Sequence, residues 1–275
     1  MRGSVLSEQT RWGKLVMNDV TAASDAEPKI PQPSELVELE VSPARLEASR
    51  IVGFSSRDSR SRSFNLLRSQ ITKRLAALDA KLLGVTSAAP ASGKSFISLN
   101  LAAALSRLSD RSVYLFDFDL RRGTLANELG LVRGGGLGPF LAGETDDLRE
   151  LGCRVGPEGF AFFPCYPELE GSAELFVGGR FSALISALRR LPDNAIVICD
   201  LPPAFANDDT ILITQQLDAF LMVIEQGKTT RKQVSGTLDL LRPTPCIGSV
   251  LNRYEGGWAD PYGYGYGDAY AKYYG

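Results

Sequence analysis

The chain contains no histidine. That absence removes a Ser-His-Asp triad, a Cys-His nucleophile pair and every His-ligated metal site. Cysteine is sparse: Cys153, Cys165, Cys199 and Cys246 form no Cys-x-x-Cys pair and stand mostly in apolar contexts. They read as buried free thiols in a reducing compartment, not as a zinc cluster or a disulfide framework. No apolar run reaches the roughly 18 residues of a membrane-spanning helix, and no apolar leader opens the chain. An excess of one charge is lacking too. With 30 Lys+Arg against 32 Asp+Glu the net charge is −2, so no global basic field exists and no nucleic-acid partner is expected. What remains is 275 residues with 44% hydrophobic content. That suffices for one large α/β domain with a tail, or for two small domains.

The informative segment is Ser87-Ala88-Ala89-Pro90-Ala91-Ser92-Gly93-Lys94-Ser95, directly after the apolar run Leu82–Thr86. A strand feeding a loop of small residues that ends Gly-Lys-Ser and opens a helix is a phosphate-binding loop. Its backbone N–H groups meet phosphate oxygens, Lys94 adds a positive charge at the β/γ-phosphates, and the Ser95 hydroxyl is placed to ligate Mg²⁺. The full pattern has glycine where Ala88 stands. Two further apolar segments end in carboxylates. Val113–Phe116 runs into Asp117-Phe118-Asp119, and Ala195–Cys199 runs into Asp200-Leu201-Pro202-Pro203. Such strands suit a parallel sheet covered on both faces, and carboxylates at their C-terminal ends point into the ligand crevice. Mg²⁺ needs only one or two carboxylates beside the phosphates, so Ser95, Asp117, Asp119 and Asp200 are the candidate metal residues.

Strand and helix alternate from Lys81 onward. Strands are expected at 82–87, 112–117, 159–164, 194–199, 218–224 and 246–251. Helices are expected at 94–108, 124–129, 172–177, 180–190, 207–216 and 229–241, with glycine-rich loops over 130–145. This alternation predicts a doubly wound, mostly parallel α/β sheet. Before it, Phe64, Leu67, Ile71, Leu75 and Leu78 make one face of a helix over 64–79. Residues 1–50 are polar, with Pro28, Pro31, Pro33 and Pro43, and read as a disordered or loosely attached arm. Ile51–Phe54 reads as a short docking element. The expected units are therefore an arm at 1–50, a phosphate-loop domain at 51–253 and a flexible tail at 254–275. Seven of the nine tyrosines lie in that tail: Tyr254, Tyr262, Tyr264, Tyr266, Tyr270, Tyr273 and Tyr274, interleaved with glycines. Such a composition cannot build a core.

Phosphoryl transfer needs positioning, charge neutralisation and an acceptor. Water as acceptor makes an ATPase, and a hydroxyl makes a kinase. The tail offers phenols on a tether of roughly 65 Å when extended. Lys94, Asp117, Asp119 and Asp200 are the candidate catalytic residues. The motifs leave open which of Asp117 and Asp119 contacts metal and which takes the phenol proton.

Taken in order, these motifs resemble the bacterial tyrosine kinases (BY-kinases) of exopolysaccharide and capsule systems. The matching residues are Pro90–Ser95, then Asp117-Phe118-Asp119-Leu120-Arg121, then Asp200-Leu201-Pro202-Pro203, then the tyrosine cluster. The resemblance runs from about residue 51 to the end. It implies a P-loop fold of the deviant-Walker type, ATP and Mg²⁺ as cofactors, and an ATP site of Ala91, Ser92, Gly93, Lys94, Ser95 and Phe96. Val250–Arg253 resembles the strand end that contacts adenine, which implicates Asn252. Tyr262, Tyr264, Tyr266, Tyr270, Tyr273 and Tyr274 are the implied phosphoacceptors. The family usually carries Gly and Glu where Ala91 and Ser92 stand. Of its Glu-x-x-Arg-x-x-Arg ring-assembly motif, the stretch Arg62–Arg68 keeps the last arginine. The resemblance implies a cytoplasmic autokinase, recruited to the inner face of the membrane and activated by a separate membrane polysaccharide co-polymerase, and forming a homo-oligomer. Two other readings stand beside it. One is a positioning ATPase of the MinD/ParA class, whose signature lysine would stand where Ala89 does. The other is a non-catalytic nucleotide-sensing scaffold.

Overall fold

The computed structural model describes residues 27–131, 136–156, 159–166 and 172–255. Its elements in chain order are β1 (Glu38–Leu39), α1 (Pro43–Ala48), α2 (Arg62–Leu78), β2 (Leu82–Ser87), α3 (Lys94–Ser106), β3 (Ser112–Asp117), α4 (Leu125–Leu129), α5 (Leu137–Ala142), β4 (Cys153–Val155), β5 (Phe160–Phe163), α6 (Ser172–Val177), α7 (Gly179–Arg189), β6 (Ala195–Asp200), α8 (Asp209–Thr214), β7 (Ala219–Glu225), α9 (Arg231–Leu240) and β8 (Cys246–Asn252). The eight strands form one sheet in the order β1-β4-β5-β3-β6-β2-β7-β8. Only β4–β5 is antiparallel. No helix among the described residues is long and apolar enough to cross a membrane.

The central strands are apolar along their whole length because both faces are covered. Tyr114, Phe116, Val197 and Cys199 pack to one side with Leu184, Leu188 and Phe181 of α7. Their neighbours Val113, Leu115, Ile196 and Ile198 pack to the other side with α2 and α3. This alternation with period two turns two unbroken apolar runs into the middle layer of a three-layer sandwich. β6 lies between β2 and β3, so the C-terminal ends of the three strands stand side by side. That order is the switch point at which such sheets open a ligand crevice.

The expected strands and helices fall where the periodicity places them, with ends shifted by a few residues. Three segments differ. Residues 137–142, expected as glycine-rich loop, form α5. Leu137, Phe140 and Leu141 bury there, Pro139 sits in the first turn, and Gly143 at φ +83° ends it. β4 was not foreseen, because three residues are too few to show a period. The third difference is the arm. From residue 27 on it is packed, and the boundary expected near residue 50 falls inside the folded unit. Ile30, Leu36, Ile51 and Val52 are buried, and β1 pairs in parallel with β4 with Glu38 opposite Arg154. An ion pair of 2.7 Å joins those two side chains. Residues 1–26 lie outside the described residues.

One side chain ties this arm to the helix behind the phosphate loop. Asn100 of α3 is fully buried, and its Oδ1 accepts from the N–H groups of Val52 (2.8 Å) and Gly53 (3.0 Å). Its Nδ2 donates to the carbonyls of Arg50 (3.2 Å) and Phe96 (3.1 Å). The approach is close enough that a Cβ on Gly53 would lie 2.3 Å from the Asn100 carbonyl oxygen. Replacing Asn100 by Leu strands two buried N–H donors, and we expect a loss of about 2–3 kcal/mol in urea unfolding. A loss below about 0.5 kcal/mol would mean that residues 50–53 are not held this way.

Candidate active site

β2 ends at Ser87, and the loop to α3 is braced from within. The Ser87 and Ser92 hydroxyls both donate to the Ala89 carbonyl, at 2.7 and 3.0 Å. Ser92 is therefore turned into the loop, and what it offers a nucleotide is its backbone. Gly93 at φ +92° opens α3, and Asn252 packs on it so tightly that a Cβ there would lie 2.1 Å from the Asn252 Nδ2. That amide donates to the Ser92 carbonyl at 2.9 Å. The residue at the end of β8 expected to meet adenine thus also braces the phosphate loop. Ala91 sits at φ +59°, the left-handed region that a Cβ disfavours. Lys94 is buried in the first turn of α3. The half-buried Phe96 ring meets Phe64 of α2 edge-on at 5.6 Å, so it packs against the core beside α2.

Facing the loop are the carboxylates. The β3–β6 register sets Asp117 directly opposite Asp200, and the β2–β6 register sets Asp200 opposite Val85. Both acids are buried. Asp200 accepts from the Ser95 hydroxyl at 2.7 Å and from the Ser98 hydroxyl at 2.8 Å. Burial pushes its carboxyl up to about 6, against the nearby Lys94 charge and those two hydroxyls. Burial, then the negative charge of Asp200, holds the Asp117 carboxyl well above the usual carboxylate range. Asp117 Oδ1 accepts from the Asp119 N–H at 3.1 Å, whereas its Oδ2 is buried with no hydrogen-bond partner among the described residues. Asp119 is only partly buried. Burial raises its carboxyl while Lys94 and Arg122 oppose the rise.

Phe118, between the two acids, anchors this stretch in the core. Its ring is fully buried, edge-on to Phe181 at 5.4 Å and to Phe176 at 6.1 Å. With the ring anchored in the core, the flanking acids take different depths. Asp117 lies under the loop. Asp119 lies on a cleft of about 290 Å³ walled by Pro90, Arg121, Arg122, Pro202, Pro203 and Asn207. A wider hollow of about 700 Å³, between β1, α1 and the end of β4, holds none of the expected site residues.

Among the described residues no three or more Cys, Asp or Glu side chains are gathered to hold a metal ion by themselves. The four candidate metal residues are therefore not a preformed cage. They do fit a cation that takes its remaining ligands from phosphate and water. Asp117 carries an unsatisfied buried oxygen, and the Ser95 hydroxyl stands against Asp200. The expected phosphoacceptors Tyr262–Tyr274 lie outside the described residues.

The "Tyrosine-protein kinase etk" of Escherichia coli K12 is 30% identical over 197 residues, which is 71% of this chain and 27% of that protein. The solved kinase domain of E. coli ETK superposes with a TM-score of 0.67 at 27% identity, over 77% of this chain and 84% of that one. The chain matches the kinase domain of the bacterial tyrosine kinases. It spans about a quarter of the length of the curated relatives it matches. A ParA family ATPase from Chlorobium tepidum shares the fold, with a TM-score of 0.54 at 22% identity over 65% of this chain and 76% of that one. No protein-family model matches the chain.

In this kinase-like domain, three supports of the site escaped sequence reasoning. These are the Phe118 anchor, the Ser98 hydroxyl on Asp200 and the bracing by Asn252. Only Phe118 left a signal, as an apolar residue between two acids. Two predictions follow from the geometry. Ala91→Gly removes the Cβ from a left-handed position, and we expect a gain of about 1 kcal/mol in urea unfolding. No gain would mean that the loop relaxes out of that conformation. The second concerns pH. In the unfolded chain both acids ionise near pH 4. In the fold Asp200 does so near 6 and Asp117 also above its ordinary range. The folded state thus keeps protons that the unfolded state has released, and the metal-free protein loses stability as pH rises from about 4 through about 6. Asp117→Asn should flatten that fall in urea midpoints measured across the window, and an unchanged slope would contradict the assignment.

Proposed function

We propose that the chain is an ATP-dependent protein-tyrosine kinase that phosphorylates its own C-terminal tyrosine cluster. The observation that carries this reading is the register of β3, β6 and β2, with Asp117 opposite Asp200 and Ser95 hydrogen-bonded to Asp200 across from the phosphate loop. Backbone N–H groups from Ala91 to Phe96 would bind the phosphates at the start of α3, with Lys94 at the β/γ end. Mg²⁺, held by Ser95 with Asp117 and Asp200, would supply charge neutralisation on the phosphates. A tyrosine hydroxyl enters from the cleft on the Asp119 side. Its oxygen bonds to the γ-phosphorus, the bond from that phosphorus to the β–γ bridging oxygen breaks, and ADP leaves with the electron pair. Asp119 takes the phenol proton, since it is the acid that lies on the cleft, and its raised carboxyl suits that work at neutral pH. Asn252, beside Gly93, would meet the adenine side of the nucleotide.

The wider role follows from the family resemblance. The kinase acts at the inner face of the membrane with a polysaccharide co-polymerase as its activator, and phosphorylation of an acidic-to-neutral tail changes how copies assemble. Each phosphate adds about −1.5 to −2 charges, enough for a heavily modified tail to repel its neighbours.

The test is intact mass and phosphotyrosine mapping after phosphatase-treated chain is incubated with Mg-ATP, beside Lys94→Met. Phosphate additions mapped to Tyr262–Tyr274 and absent from Lys94→Met are the expected result. ADP release with no mass change would favour the positioning-ATPase reading that the shared ParA fold leaves standing.

A further inference from the structure

We propose that Asp209, which belongs to none of the four motifs, is a positioning residue that sets the Arg121 guanidinium on the acceptor side of the cleft, where Arg121 contacts the phosphoryl group in transit. This rests on the kinase reading above. Asp209 opens α8 and its side chain is 0% exposed, yet its Oδ2 lies 3.3 Å from Nε of Arg121, which is 48% exposed. The same oxygen accepts from Nδ2 of Asn207 at 2.9 Å. A buried carboxylate is expensive unless paired, so a fixed anion here holds its cation in one place rather than letting it wander over the surface.

The base of this pair is rigid. Thr210, next in α8, donates to the Pro202 carbonyl at 2.9 Å, and Thr86 of β2 donates to the same oxygen at 2.8 Å. Asp209 is thereby tied to the strand end that carries Asp200 and to the strand that carries the phosphate loop. Arg121, Asn207 and Asp119 line one cleft. Asn207 Oδ1 is buried with no partner among the described residues, so the cleft wall keeps an acceptor that an incoming group would satisfy. Nε of Arg121 faces Asp209 on a cleft that Arg121 lines, and a planar guanidinium suits phosphate oxygens in a geometry that lysine would not reproduce. The charge that Arg121 meets is greatest while the phosphorus is between ADP and the phenol. It should therefore act on turnover more than on ATP binding.

The experiment is a double-mutant cycle in the full chain with Arg121→Ala, Asp209→Asn and the pair together, reading kcat for tyrosine phosphorylation and KM for Mg-ATP. Each single change should lower kcat about 10–100-fold and move KM less than about threefold. Asp209→Asn should cost less than about twofold more once Arg121 is alanine. Losses that multiply in the double variant, or an effect of Asp209→Asn on KM alone, overturn the proposal. If Asp209→Asn does not fold by circular dichroism, Asn207→Ala replaces it, with a several-fold loss expected beside Arg121 and none beside Arg121→Ala. If the chain releases ADP without labelling tyrosine, the kinase reading falls and the cycle is read on ADP release, where multiplying losses overturn the pair. A chain that does neither overturns both.

Discussion

Two aspartates, Asp117 and Asp200, occupy one rung of a parallel ladder at the bottom of the phosphate loop. Like charges on neighbouring buried positions oppose ionisation, and the sheet offers them little relief. What relief exists comes from α3. Its first two turns supply the Ser95 and Ser98 hydroxyls to Asp200 and bring the Lys94 charge close. The positive end of α3 points the same way. The helix that would hold phosphate thus also makes the carboxylates tolerable. Behind it, α2 packs on α3, and the arm is tied to α3 through the buried Asn100 amide. Under the proposed function, Asp117 Oδ2, buried without a hydrogen-bond partner among the described residues, is the oxygen that a cation would meet.

The chemistry then divides by depth. Asp117 is fully buried, whereas Asp119, just past the buried Phe118, is only partly buried. The deeper acid faces Asp200 across the ladder and is suited to cation or phosphate contact. The shallower acid borders a cleft whose walls are proline, arginine and asparagine. The motif alone left the two acids interchangeable, and the fold gives them different burial, on which the proposed division of roles rests.

How much of this was legible follows from the range of each interaction. The three strand ends were legible because a buried parallel strand is apolar throughout and breaks into polarity only where the crevice begins. The phosphate loop was legible because its residues are consecutive. Ala91 was read as a departure at a glycine position, but its left-handed φ of +59° emerged only from the folded loop. The packing of residues 27–50 was invisible for a different reason. β1 is two residues long and exists through its pairing with β4, itself three residues long and 116 positions distant at the Glu38–Arg154 contact. Local composition carries no trace of such a partner. α5 was misread because glycines at both ends masked the apolar face of Leu137, Phe140 and Leu141 between them.

Asn252 joins the two halves of the proposed reaction. Its amide holds the Ser92 carbonyl in the phosphate loop, and the chain beyond it becomes the tyrosine tail. The root is fastened at that residue and the next. Its carbonyl accepts from the Gln226 N–H at 3.1 Å, and Arg253 pairs with Glu225 at 2.5 Å. In the proposed autokinase, a tail rooted beside the loop would need no long search to bring a phenol near the phosphates. From Asn252 to Tyr262 is ten residues, about 33 Å if extended, which already exceeds the radius of a domain of this size. In the proposed autokinase, reach would therefore not select among the tyrosines, either within a chain or between neighbours. Selection would fall to the cleft lined by Asp119, Arg121 and Arg122.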